Sequence, residues 1–233
     1  MDTAAEIISF SDLQAFFPCG GLGEAINPCP RFNTIYVTNQ KAGCTSIKLM
    51  LNRAETGDNH LDSRNIHVES RLPKPSSLGW PRVREMLSGS AYRFTFVRHP
   101  VDRLLSAYND KILIDRNFDF AGLVLQHLGL PQDRDVTLPL FIDYLELCDP
   151  LEMDRHWRPQ HFNLMHGLVE YDFVGRVETL ERDMRIVAKE AGLPIDDVLH
   201  RNIKQKSVTH EDVAPYLSRI EKLYARDFEL YGY

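Results

Sequence analysis

Several features that mark whole classes of proteins are missing from this sequence of 233 residues. It has no run of about twenty apolar residues, which excludes an ordinary membrane-spanning helix. Residues 1–6 contain neither a basic region nor a long apolar segment, so they do not form a secretory signal peptide. The four cysteines lack the paired spacing of a metal site, and the net charge of −6 argues against a general nucleic-acid binder. Any anion-binding site must therefore be a local concentration of basic residues.

The apolar content, 43% of the residues, is sufficient for an ordinary core in one large α/β domain or two small ones. Short apolar strand patterns alternate with helical periodicity, which indicates a mostly parallel sheet with crossover helices. Residues 1–31 are expected to form an N-terminal arm, and residues 32–233 the folded domain. The pattern predicts strands at 34–38, 65–68, 92–97 and 172–176, a loop at 71–81, and helices at 11–17, 45–53, 81–88, 100–111, 120–128, 138–147, 179–191 and 210–228.

Two segments of the chain share one pattern, an apolar strand followed by a polar turn and a helix. The first passes through Lys41 and Gly43 to a helix near Thr45, and the second passes through Arg98 to a helix that begins at Pro100. A strand that enters a helix through a short turn presents backbone N–H groups and the positive end of the helix dipole, and both attract anions. Two such turns, each with a basic residue, predict a ligand with two separate anionic groups.

The first turn resembles a Walker A phosphate loop but departs from its sequence. That motif ends in Gly-Lys-Ser/Thr, whereas here Lys41 precedes Gly43, the one glycine of the turn. The turn can still bind an anion despite this change, because Lys41 supplies a mobile positive charge and Gly43 lets the backbone approach an anion closely. Thr45 and Ser46 add hydroxyl groups in the first helical turn. The alternative is a structural turn with a solvated lysine.

At these residues the chain resembles a known family. Lys-Ala-Gly-Cys-Thr-Ser at 41–46 is similar to the 5′-phosphosulfate loop of sulfotransferases that use 3′-phosphoadenosine 5′-phosphosulfate (PAPS), and Phe-Val-Arg-His-Pro at 96–100 is similar to their 3′-phosphate motif. The resemblance is strongest to Golgi carbohydrate sulfotransferases of the chondroitin and dermatan type. It continues through 156–160, 171–180 and 224–233, so it covers about residues 32–233. It implies the three-layer α/β/α sandwich of P-loop nucleotide kinases, with a central, mostly parallel sheet.

The resemblance also implies how the nucleotide would bind. Its 5′-phosphosulfate would be held by the first turn, which consists of Lys41, Ala42, Gly43, Cys44, Thr45 and Ser46. Its 3′-phosphate would be held by Arg98 and Ser106, and by a basic loop with Lys204 and Lys206. Lys41 would also stabilise the leaving phosphate oxygen. No metal is expected, since no acidic cluster has the pattern of a Mg²⁺ site.

An acceptor hydroxyl must lose a proton as it attacks sulfur, so an imidazole or a carboxylate is expected nearby. In related sulfotransferases this group follows the second strand, which corresponds here to residues 66–69. His67 is the first candidate because imidazole titrates near neutral pH, and Glu69, on the same face of the predicted strand, is the alternative. His156, Trp157 and Arg158 are candidates for acceptor binding. Trp157 would either stack on a sugar or anchor a loop in the core.

The predicted function is a PAPS-dependent sulfotransferase that modifies a hydroxyl of a carbohydrate or similar acceptor and releases 3′-phosphoadenosine 5′-phosphate (PAP). Two alternatives are a small-molecule kinase with a P-loop-like site and a non-catalytic binding module for nucleotide or sulfated glycan.

Golgi members of the family carry a membrane anchor ahead of the catalytic domain. Because this sequence starts at Met1 without one, a soluble, cytoplasmic, bacterial enzyme is expected, or a Golgi-lumenal one if the chain is an excised domain. Cys19 and Cys29 are accordingly expected as thiols, and a disulfide between them is the alternative.

Overall fold

The computed structural model describes residues 8–57, 66–115, 119–194 and 208–233. These residues form two compact units, each of which is built from two stretches of the chain. The first unit comprises Met1–Val97 and Gln160–Asn202, and the second comprises Arg98–Pro159 and Ile203–Tyr233. Within the described ranges, no helix is long and apolar enough to cross a membrane.

The first unit is organised around a sheet of four strands in the order β1-β2-β3-β4. The strands are β1 (Ile26–Cys29), β2 (Thr34–Val37), β3 (Tyr92–Val97) and β4 (Phe173–Arg176). β3 pairs in parallel with both β2 and β4, whereas β1 runs antiparallel to β2. The predicted α/β fold with a mostly parallel sheet is confirmed, and the carboxyl ends of β2, β3 and β4 lie at the same end of the sheet.

The helices surround this sheet in the first unit and form nearly all of the second. In chain order they are α1 (Phe10–Ala15), α2 (Leu22–Ala25), α3 (Cys44–Thr56), α4 (Ile66–Glu69), α5 (Pro75–Leu78), α6 (Trp80–Glu85), α7 (Pro100–Ala107), α8 (Phe120–His127), α9 (Leu138–Leu147), α10 (Gln160–Asn163), α11 (Leu180–Ala191), α12 (His210–Val213), α13 (Leu217–Leu223) and α14 (Ala225–Tyr231). α7 to α9 and α12 to α14 belong to the second unit. α7 begins with proline, which suits a first helical turn because its missing N–H would have no acceptor there.

The core of the first unit packs the aromatic side chains of the sheet against α3 and α11. Its fully or almost fully buried members include Tyr36, Phe94, Phe96, Ile47, Leu51, Met184 and Val187. β4 approaches this core closely, because a methyl group added at Gly175 would lie 2.4 Å from the Phe96 ring. A side chain at position 175 would therefore force the buried Phe96 ring to move.

The core of the second unit is built around Trp157. Its side chain is 2% exposed, and its ring contacts Phe120 and Phe141 at centroid distances of 5.2 Å and 5.3 Å. The Tyr224 hydroxyl donates to the Trp157 carbonyl oxygen at 2.6 Å. Of the two alternatives for Trp157, the structure therefore favours the anchor in the core over the sugar platform.

Several predicted elements differ from the structure. Residues 66–68, predicted as part of a strand at 65–68, lie instead in α4, and the predicted loop at 71–81 contains α5 and the start of α6. The predicted helix at 210–228 is divided into α12, α13 and α14, since Ala214–Tyr216, with Pro215, form a tighter 3₁₀ turn and the backbone of Tyr224 leaves helical geometry. The predicted arm supplies β1, which pairs with β2 and forms one edge of the sheet.

All four cysteines are free thiols, as the sequence favoured. Cys29 is buried in β1, and its Sγ donates to Glu55 Oε2 at 3.0 Å. Burial, together with this hydrogen bond, raises the pKa of the Cys29 thiol well above its ordinary value. Cys29 is therefore a neutral packing residue at physiological pH.

Candidate anion-binding site

The turn between β2 and α3 combines two left-handed backbone positions with the start of a long helix. Lys41 has a φ of 64° and Gly43 a φ of 75°, and α3 begins at the next residue, Cys44. Glycine adopts this region without steric cost, whereas lysine stays there only when its surroundings hold it. The turn is thus a strained element at the carboxyl end of a strand, which is where ligands bind in open α/β sheets.

The first residues of α3 carry backbone N–H groups that have no acceptor within the helix. Gly43 occupies the N-cap position, so no side chain caps this helix. Cys44, Thr45 and Ser46 are all partly buried rather than enclosed. With the positive end of the helix dipole and a lysine in the turn, this arrangement has the features of an anion-binding turn.

Three buried amide side chains anchor the turn to the rest of the first unit. Asn39, Gln160 and Asn163 are 0%, 0% and 1% exposed. Asn39 Nδ2 donates to the Phe96 carbonyl oxygen at 3.1 Å and to Gln160 Oε1 at 2.7 Å. Asn163 Nδ2 donates to Asn39 Oδ1 at 3.3 Å. This cluster was not predictable, because a polar residue that follows a strand ordinarily indicates a solvated loop.

Hydrogen bonds from both neighbouring strands fix the end of β2. Thr95 Oγ1 donates to the Val37 carbonyl oxygen at 2.8 Å, and Asn27 Nδ2 donates to Thr38 Oγ1 at 2.8 Å. The Thr38 backbone N–H donates to the Ala25 carbonyl oxygen at 2.7 Å. Because β1 and β3 hold this strand end from opposite sides, the turn starts from a defined position.

The second predicted turn opens the second unit. Arg98 follows the last residue of β3 directly and is partly buried, as is Ser106 on α7. Arg103 is 1% exposed and donates to the carbonyl oxygens of Arg158 at 2.7 Å and Arg155 at 2.8 Å. Burial lowers the pKa of Arg103, although neighbouring Tyr224 and Asp227 act in the opposite direction. Arg103 therefore ties the segment 155–158 to α7.

His156 lies on that segment and pairs with Asp154. Its Nδ1 is 2.6 Å from Asp154 Oδ1, and its backbone N–H donates to the same oxygen at 2.9 Å. Burial alone would raise the pKa of Asp154, but the hydrogen bonds and charge of His156 outweigh it and lower that pKa. Arg158 is 2% exposed and donates through Nη1 to the Leu151 carbonyl oxygen at 3.3 Å. Among the three predicted acceptor residues, His156 is therefore the one with a partly exposed side chain.

The two predicted base positions, 67 and 69, lie on α4. Ile66 is completely buried and packs against Leu49 of α3, and Asn52 of α3 accepts from the Arg71 backbone N–H at 2.6 Å. α4 is thus held along α3. Glu69 is exposed, and the side chain of His67 lies outside the described part of the structure. Positions two apart share a face on a strand but not on a helix, so the reason for pairing Glu69 with His67 is lost.

The remaining predicted phosphate ligands, Lys204 and Lys206, lie outside the described residues. Among the residues that the structure does describe, no group of three or more His, Cys, Asp or Glu side chains could hold a metal ion. Of the basic residues predicted to bind phosphate, Lys41 in the first unit and Arg98 in the second lie within the described ranges.

One known family matches almost the whole of this chain. The family is described as the sulfotransferase family, and its statistical model matches residues 25–233. The match includes both turns, and it begins at the residue before β1 rather than at the predicted boundary after residue 31. No solved structure gives a significant match.

The chain is also similar to curated carbohydrate sulfotransferases of vertebrates. Carbohydrate sulfotransferase 14 of Mus musculus is 32% identical over 172 residues, which cover 70% of this chain and 46% of the relative. The Danio rerio protein of the same name is 31% identical over 160 residues, covering 61% and 44%. Carbohydrate sulfotransferase 8 of Mus musculus is 24% identical over 231 residues, covering 87% and 55%. The chain thus spans about half the length of the curated relatives it matches.

Proposed function

Because this chain belongs to the sulfotransferase family, we propose that it transfers the sulfuryl group of PAPS to a hydroxyl group of a carbohydrate. The observation that carries the proposal is the turn at 41–46, where a lysine, a left-handed glycine and the N-terminus of α3 come together. The names of the relatives, carbohydrate sulfotransferases 14 and 8, motivate the class of acceptor. A cytoplasmic location stays a prediction.

The two ends of the nucleotide are assigned to the two turns. β2 and β3 are adjacent and parallel, and each is followed by a turn with a basic residue. The turn at 41–46 is assigned to the 5′-phosphosulfate, through its backbone N–H groups and Lys41. Arg98 and Ser106 are assigned to the 3′-phosphate, since a guanidinium group matches a pair of phosphate oxygens. Lys204 and Lys206 remain candidates for the same phosphate.

The bound nucleotide supplies a sulfuryl group that is attached to a phosphate leaving group. The acceptor oxygen forms a bond to sulfur while the bond between sulfur and the bridging phosphate oxygen breaks, and PAP is released. Lys41 stabilises the negative charge that develops on that bridging oxygen. The acceptor proton passes to a base, for which His67 is proposed and Glu69 is the alternative. No resident metal is part of the proposal.

PAP should raise the unfolding temperature of the protein without any added metal. A ligand that binds only the folded state stabilises it by about 2.7 kcal/mol at a hundredfold excess over its dissociation constant. The measurement is a thermal scan with PAP in the presence of a chelator, compared with ATP and Mg²⁺ at the same concentration. A shift with ATP and Mg²⁺ and none with PAP would contradict the proposed function and favour a kinase.

Arg98→Ala should weaken PAP binding more than Ser106→Ala does. A hydrogen bond to a charged group contributes about 1.5–3 kcal/mol, and one between neutral groups about 0.5–1.5 kcal/mol. The expected loss of affinity is therefore about tenfold or more for Arg98→Ala and less than about tenfold for Ser106→Ala. Calorimetry with PAP measures both. Arg82→Ala is the control, because Arg82 is an exposed arginine paired with Glu85 on α6. Unchanged affinity in Arg98→Ala would remove the assignment of the 3′-phosphate.

A further inference from the structure

The left-handed conformation of Lys41 needs a restraint on each side. A residue with a side chain disfavours this region, and it persists there only where the surrounding structure fixes it. On the helix side, Gly43 and the first turn of α3 provide that restraint. On the strand side, the turn leaves β2 after Val37, and the next fully buried polar side chain along the chain is that of Asn39.

Asn39 joins the turn to two other parts of the first unit. Its amide nitrogen donates to the Phe96 carbonyl oxygen at 3.1 Å and to Gln160 Oε1 at 2.7 Å, and its amide oxygen accepts from Asn163 at 3.3 Å. Its backbone carbonyl accepts from the Ala42 N–H at 3.2 Å, which closes the turn around Lys41. The same residue therefore bonds to β3, to α10 and across the turn.

The hydrogen bond from Asn39 to Phe96 replaces the next backbone hydrogen bond between β2 and β3. That pairing matches Thr34 with Tyr92 and Tyr36 with Phe94, so its continuation would bring Thr38 opposite Phe96. The ladder stops before that point, and the side chain of Asn39 donates to the Phe96 carbonyl instead. The backbone can then leave the sheet and turn toward α3 without leaving a buried carbonyl unsatisfied.

From these contacts we infer that Asn39 is the positioning residue of the phosphate-binding turn. It acts through Lys41 and the N–H groups of α3, and it fixes their geometry before the nucleotide binds. The inference rests on the proposed function, because it concerns binding of PAP and PAPS at this turn. Without Asn39 only a fraction of the molecules would hold the competent turn, and the apparent dissociation constant rises by the inverse of that fraction.

The test compares Asn39→Ala with Asn52→Ala. Asn52 is a matched control, since it is also 0% exposed, and its amide donates to the Lys48 carbonyl and to Ser70 and accepts from the Arg71 N–H, away from the turn. Both variants should unfold at lower temperatures than the parent protein. Below those temperatures, Asn39→Ala should bind PAP about tenfold more weakly, whereas Asn52→Ala should stay within about twofold of the parent. In Asn39→Ala the KM for PAPS should rise by more than kcat falls, because the bound nucleotide restores the turn.

A milder variant covers the case in which Asn39→Ala does not fold. Asn163→Ala removes the longest bond to Asn39, at 3.3 Å, and leaves both bonds of its amide nitrogen. It should weaken PAP binding by about threefold. Equal PAP affinities in Asn39→Ala and Asn52→Ala, or unchanged affinity in Asn163→Ala when the first variant is unfolded, would overturn the inference. A parent protein that does not bind PAP at all would overturn the proposed function, and the inference with it.

Discussion

Lys41→Ala should lower turnover at saturating PAPS by about 10²–10³-fold, the effect of removing one donor to a developing oxyanion. The ammonium group is proposed to act most strongly on the charge that appears on the leaving phosphate oxygen, so the loss should fall mainly on kcat. Affinity for PAP should fall less, although the same ammonium group can contact the 5′-phosphate. Alanine keeps a Cβ atom at this left-handed position, so the backbone preference changes little between the two residues.

Steady-state kinetics with one good carbohydrate acceptor measures this effect. Lys189→Ala is the control, because Lys189 is an exposed lysine on α11 and its loss changes the net charge by the same amount. Lys41→Arg separates charge from geometry, since a guanidinium group keeps the charge but not the shape of an ammonium group, and partial activity is expected. Near-normal turnover of Lys41→Ala at saturating PAPS would remove Lys41 from the reaction.

His67→Ala should leave PAP binding nearly intact and lower turnover by about 10²–10⁴-fold. A base accepts the acceptor proton only when it is unprotonated. The parent enzyme should therefore lose activity as the pH falls and the imidazole becomes protonated. That acidic limb of the rate profile should be absent in the variant, because its residual activity no longer depends on an imidazole.

Glu69→Gln, assayed beside His67→Ala between about pH 5 and pH 9, decides between the two candidates. Glu69 is exposed on α4, so its replacement by an uncharged side chain of the same size should not disturb the fold. An inactive Glu69→Gln beside an active His67→Ala would exchange the two roles. If both variants stay active, the base lies elsewhere, and His156, which is held by Asp154, is the next residue to replace.

The strands β2, β3 and β4 were predictable because each is a compact apolar run that ends at a polar turn. β1 was not, since it contains Asn27 and Pro28 and has no apolar alternation, and it is defined by its pairing with β2. The prediction of a strand at 65–68 was wrong for a related reason. A short segment such as 66–69 follows either periodicity equally well, and packing of Ile66 against α3 decides for a helix.

In the candidate site, too, some features follow from a local sequence pattern and others depend on residues far away in the sequence. Gly43, Lys41 and the start of α3 follow from a local pattern, and the structure has the predicted turn there. The anchor of that turn does not, because Asn39 bonds to Gln160 across 121 residues of sequence. The sequence left two interpretations of Trp157 open for a similar reason. An aromatic residue with polar neighbours has the same local pattern whether it is buried in a core or exposed at a surface. Distant partners decide such cases, and no local pattern contains them.

The interleaving of the two units has a consequence for biosynthesis. The two stretches of the first unit are separated in sequence by Arg98–Pro159, which belongs to the second unit. The two stretches of the second unit are likewise separated by Gln160–Asn202, which belongs to the first. The bond between Tyr224 and Trp157 spans 67 residues and forms only when the last helices have emerged. Translation from the N-terminus therefore exposes Arg98–Pro159 before either unit is complete. No single cut of the chain separates the two complete units, because the stretches that build them alternate along the chain.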